Sequence, residues 1–129
     1  MTDDIVLGRI RNQIIECLEL AASSMEQVAY QAAVPQVHVP NEVINQWEDW
    51  VRPDWREYMT PPMFSQDEIG AIADFYGAWD SVVSSTPDPL PSLEVLMGTD
   101  EWLQLAQAAA SALAVFQIRG LLPDSPDGA

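Results

Sequence analysis

The sequence predicts an all-α, single-domain bundle of about four main helices plus short helical turns, with its alanine-rich last helix at the centre. Three observations lead there. Residues 100–119 carry no charge between Glu101 and Arg119, and their apolar residues cover most of a helix's circumference, the pattern of a helix packed on several sides. Apolar residues elsewhere recur at spacings of three and four. Proline clusters cut the chain into pieces of helical length. A chain of 129 residues fits one domain, large enough to bury roughly 65 to 70% of its unfolded surface. The expected division is an acidic helical domain at 1–122 and a disordered, proline-rich tail at 123–129.

The first helix is expected from Asp3 or Asp4 to Ala32. Val6, Ile10, Ile14, Cys17, Ala21, Met25 and Val28 form its core face, and Glu16, Glu19, Ser23, Glu26 and Tyr30 its wet face, with Arg9 and Arg11 pairing locally. An extended connector follows at Val34 to Pro40, where two prolines and alternating valines disfavour helix. Asn41 is the expected cap of a second helix in which Val43, Ile44, Trp47, Trp50 and Val51 share a face. The period continues through Trp55, Tyr58 and Met59, so a kink or a second short helix is expected at Pro53. Ser65-Gln66-Asp67-Glu68 has the form of a capping box, with Phe64 placed to staple onto Ile69. The helix it opens runs through Ile72, Ala73, Tyr76, Trp79 and Val83, and its Gly70 and Gly77 suggest a close crossing against the last helix. Ser92 starts a short turn closed by Gly98. Thr99 then caps the last helix, Asp100 and Glu101 suit the positive end of its dipole, and Gly120 and Pro123 end it. Trp102, Leu105, Ala109, Leu113 and Phe116 form one apolar line of that helix; Leu103, Ala106, Ala110 and Ala114 form a second.

Charge is the unusual feature. Twenty carboxylates stand against five arginines and no lysine, for a formal net charge of −15. Such a field repels nucleic acid and anionic membranes and speeds encounter with a positively charged protein. No basic residue stands between Arg56 and Arg119. Asp67, Glu68, Asp100 and Glu101 lie in helix first turns, where carboxylates are structural. Asp74, Asp80, Asp88 and Glu94 have no such role and are the first candidates for contact with a basic partner. The second set is Glu48, Asp49, Trp50, Asp54, Trp55 and Glu57, where aromatic side chains ringed by charge resemble an interface hot spot.

Little points to catalysis. His38 has no Cys, Asp or Glu at ligand spacing, Cys17 falls on an apolar face, and Glu-x-x-His, Gly-rich phosphate and calcium loops are all missing. The chain is therefore read as a binding protein, not an enzyme, with no cofactor and no metal. One cysteine, an acidic start and no apolar run near the roughly 20 residues of a membrane span suggest a cytoplasmic protein.

The run FSQDEIGAIADFYGAWDSV, the connector TPDPLPSLEVLMGTDEW and the helix ending FQIRG resemble small immunity proteins encoded beside bacterial polymorphic or contact-dependent toxins. The resemblance covers roughly the second half of the chain. It implies an acidic helical protein that binds and neutralises a cognate toxin domain, often a nuclease with a basic groove. Such proteins share no universal motif, so it transfers no site residue. The alternatives are a secretion or assembly chaperone for a client protein and a phage-encoded DNA-mimic inhibitor.

Overall fold

Six α-helices and one 3₁₀ turn make up the secondary structure of residues 2–86 and 90–121, the part of the chain that the computed structural model describes, with side chains from Ile5 onward. They are α1 (Thr2–Ala22), α2 (Ser24–Ala33), α3 (Val39–Trp50), the 3₁₀ turn Trp55–Glu57, α4 (Gln66–Ser85), α5 (Leu93–Met97) and α6 (Asp100–Gln117), with no strand among the described residues. The all-α bundle is observed. α6 lies between α1 and α4, while α3 packs on α1. α3 also reaches α4, through Trp47 edge-on to Phe75 at 4.5 Å and through the Trp79 Nε1–H donated to the Ile44 carbonyl at 3.0 Å. Residues 123–129, expected to be a disordered tail, lie outside the described part.

α6 has the ends its sequence signals. The Thr99 hydroxyl accepts from the Trp102 amide, and Gly120 adopts φ +72°, a left-handed conformation that glycine takes without strain. Its buried face is Trp102, Leu105, Ala109, Ala112 and Phe116. The expected second apolar line is corrected, since Leu103 is 56% exposed and Ala110 and Ala114 also face solvent; in the first line Leu113 is only half-buried, and Ala112 takes its place in the core. Alanine explains the error. Its methyl group costs little hydrophobic free energy when exposed, so an alanine-rich surface does not demand a neighbour on every side.

The single long first helix is also corrected, because the chain breaks at Ser23. The Ser23 hydroxyl accepts the Glu26 amide and starts α2. Gln27, fully buried, satisfies the carbonyls freed at the end of α1: its Nε2 donates to Leu20 at 2.9 Å and Ala21 at 3.2 Å, while its Oε1 accepts the Trp102 Nε1–H at 3.1 Å. The break resets the helical phase. Met25, expected in the core, is therefore 83% exposed, and Val28 too is partly in solvent.

Residues 34–38 form a turn rather than an extended connector. Gln31 organises it, donating to the Val37 carbonyl at 2.5 Å and accepting the Val39 amide at 3.1 Å. α3 begins at Val39, not after Asn41, with His38 at the cap position and Pro40 in the first turn, where its missing N–H costs nothing. Beyond Trp50 no second α-helix forms; the Tyr58 hydroxyl donates to the Trp50 carbonyl and accepts the Arg52 amide, folding the chain back.

α4 opens with a complete capping box between Ser65 and Glu68. Its buried face is Glu68, Ala71, Ile72, Phe75, Trp79 and Val82, so the face is rotated from the expected one and Val83 is exposed. The expected close crossing at the glycines is absent. A Cβ at Gly70 or Gly77 meets nothing within 4 Å. Gly77→Ala is accordingly expected to raise stability by about 0.5 to 1 kcal/mol in urea denaturation, since alanine loses less backbone freedom on folding. A destabilised variant would mean that the position is crowded.

One polar cluster joins three helices. Arg11 of α1, 0% exposed, pairs with Glu68 of α4, 1% exposed, through Nη2 at 2.7 Å and Nε at 3.2 Å. Arg119, just beyond α6, donates to the same carboxylate and to the Pro62 and Met63 carbonyls. Arg11 also donates to Gly120 and Phe116 carbonyls at the end of α6, and its guanidinium lies 5.2 Å from the Phe116 ring centre. The local pairing expected for Arg11 is thus replaced by a partner 57 residues away. Burial by itself raises the Glu68 pKa, but hydrogen bonds from Arg11, Arg119 and the Ser65 amide outweigh it and hold the carboxyl at about 2, against an ordinary 4.5.

Candidate protein-binding faces

The carboxylates of the sequence reading fall into separate places on this frame. Asp74 lies with Asp67 on one wall of a cleft of about 460 Å³ between α4 and α6. The wall from α4 is Asp67, Gly70, Ala71 and Asp74; the wall from α6 is Ala108, Ser111, Ala112 and Val115. Each set follows the three-and-four spacing of a single helix face. Because the side chains along the floor are small, a long side chain can lie down in the cleft and bring its head to one of the two carboxylates, which stand about 10 Å apart along α4. Both helices belong to the part of the sequence between Arg56 and Arg119, which has no basic residue. Asp80 is exposed further along α4 and does not line the cleft. Asp88 lies outside the described residues.

Glu48 and Asp49 line a polar hollow of about 590 Å³ on α3, together with Glu42, Asn45, Arg52 and Pro53. Arg52 offsets part of the charge there. Asp54 and Glu57 are exposed, Glu57 beside Val6, Leu7, Tyr58 and Thr60. The two tryptophans differ. Trp50 is half-buried, whereas Trp55 is 6% exposed, with the Arg56 guanidinium 4.5 Å from the centre of its ring. Trp55 therefore belongs to the core. Glu94 lies elsewhere again, in an apolar groove between α2 and α5.

A place in the first turn of α4 hides that Asp67 shares a face with Asp74, although the seven-residue spacing across Gly70 carries that signal. Nothing local in the sequence shows what becomes of the arginines. Arg11 and Arg119 are both engaged by Glu68, so the acidic surface is less neutralised than the sequence total implies.

No other chemistry gathers at these places. Among the described residues no group of three His, Cys, Asp or Glu side chains is arranged to hold a metal ion. Cys17 is buried, and that burial, aided by Glu16 and Asp49, pushes its thiol up to about 12, which keeps it protonated and unreactive near neutral pH. No helix among the described residues is long and apolar enough to cross a membrane. Comparisons with family models, curated proteins and solved structures found no match.

Proposed function

We propose that the chain is an acidic binding protein of the immunity type, which captures a basic domain of a cognate toxin and neutralises it in the cytoplasm. The observation that carries this reading is the α4–α6 cleft: two carboxylates over a floor of small residues, between two helices that carry no basic residue. An arginine or lysine stem fits along such a floor while its head pairs with one of Asp67 and Asp74, which stand two turns of α4 apart, and Asp80 adds to the field that guides approach. The toxin and its class, nucleases included, come from the resemblance of the second half of the chain to immunity proteins. The free, buried Cys17 suits a reducing compartment.

The reading requires a basic toxin domain encoded beside this chain, and that domain is the partner to test. Its association with the wild type should slow markedly as salt rises from about 0.05 to about 0.5 M, because the Debye length then falls below typical approach distances. The triple variant Asp67→Asn, Asp74→Asn, Asp80→Asn should remain folded, associate more slowly and bind about 2 to 5 kcal/mol less tightly if a desolvated pair is lost. Growth protection should fall with it. Undiminished protection by the folded variant would move the interface to Glu48, Asp49, Trp50 and Asp54. An association rate indifferent to salt would instead favour a chaperone holding an apolar client.

A further inference from the structure

The groove between α2 and α5 is a different kind of surface from the acidic cleft. Val28, Gln31 and Ala32 form one wall and Leu93, Glu94 and Met97 the other, around about 500 Å³. Val28 is 47% and Met97 42% exposed. Met25, the most exposed large apolar side chain described, continues the face of Val28 and Ala32 along α2 at spacings of three and four. Methionines suit such a surface, because an unbranched thioether adapts to irregular neighbours. No described residue covers this face.

Charge decides what fits. α2 lies within the stretch from Arg11 to Arg52, and α5 within the stretch from Arg56 to Arg119; neither stretch contains an arginine or lysine. Both walls thus come from the cation-free parts of the sequence, and among the described residues the only formal charge lining the groove is Glu94. A second copy would bring a net charge of −15 against another −15, and an anionic membrane would be repelled in the same way. We infer that the α2–α5 groove docks a basic amphipathic segment of the partner protein, whose apolar side chains lie between Val28 and Met97 and whose cations face Glu94. A ten-residue α2 is about 15 Å long, which accommodates two to three turns of a partner helix. This inference rests on the proposed capture of a basic partner and adds to it an apolar anchor apart from the acidic cleft.

The test uses two synthetic helical peptides with the same leucine face, one carrying lysine and the other glutamate on the polar face, titrated against the full chain by calorimetry. The lysine peptide should bind. Val28→Asp and Met97→Asp should each weaken it by about tenfold or more, although both add negative charge, because the groove loses its apolar contact. Glu94→Gln should weaken it less and flatten its salt dependence. Since Val28 and Met97 are both partly exposed, thermal melts should show these variants folded. Binding lost in Asp67→Asn, Asp74→Asn but unchanged in Met97→Asp would overturn the groove and leave capture of a basic partner standing. Equal binding of the glutamate peptide, or no binding of either peptide, would overturn the proposal.

Discussion

Glu68→Ala is expected to destabilise the protein by about 3 to 5 kcal/mol, because it leaves the fully buried Arg11 guanidinium without its counter-charge. The same change removes half of the capping box at the start of α4, worth about 1 kcal/mol by itself. Urea denaturation measures the sum. A second variant separates the causes: Glu68→Gln with Arg11→Met retains a cap acceptor and removes the buried charge, so it should recover most of the loss. A Glu68→Ala loss below about 1 kcal/mol would contradict so buried a pair. The pH dependence follows with a definite sign. A carboxyl held at about 2 in the folded chain and near 4.5 when unfolded stabilises the fold fully above 4.5 and loses that contribution as pH falls towards 2. The loss is on the order of 3 kcal/mol. Protonating the other carboxylates over the same range relieves repulsion across a chain of net charge −15. The Glu68 contribution should therefore be read from the difference between wild type and Glu68→Gln.

Phe116→Ala should cost a similar amount, about 3 to 5 kcal/mol. The ring is fully buried on the face of α6 towards the core, so its loss leaves a cavity among residues that close-packing prevents from collapsing freely. It also underlies the Arg11 guanidinium, a contact worth on the order of 1 kcal/mol when shielded from water. Phe116→Leu should restore most of the stability by refilling the space. Because Phe116 and Glu68 both bear on Arg11, their effects should not add, and a double-mutant cycle should show coupling. Strict additivity would mean that Arg11 does not connect them.

What the sequence made legible was local. Ser65 with Glu68, Thr99 with the start of α6 and Gly120 at its end each act within about one helical turn, so spacing alone identified them. Helical phase across a break was not legible: Ser23 read as one polar position on a long helix, and every apolar assignment beyond it was carried forward in the wrong register. The solvent side of α6 was hidden by alanine, which reads as apolar but is indifferent to water. Nothing near Arg11 in sequence points to Glu68. The acidic excess needed only counting, whereas setting Asp67 and Asp74 against the small residues of α6 required α4 and α6 to be side by side.

The hold of Arg11 on the Gly120 carbonyl spans 109 residues, so the first helix carries the clasp for the last. This sets an order in time. As the chain is synthesised, Arg11 emerges early and stays solvated, and even after Glu68 follows it the receiving carbonyls of α6 do not exist. Its set of contacts is complete only once Phe116 and Gly120 are in place. The bundle must therefore close after translation has passed its last helix, and a ribosome stalled short of that point holds a chain whose core has no lock.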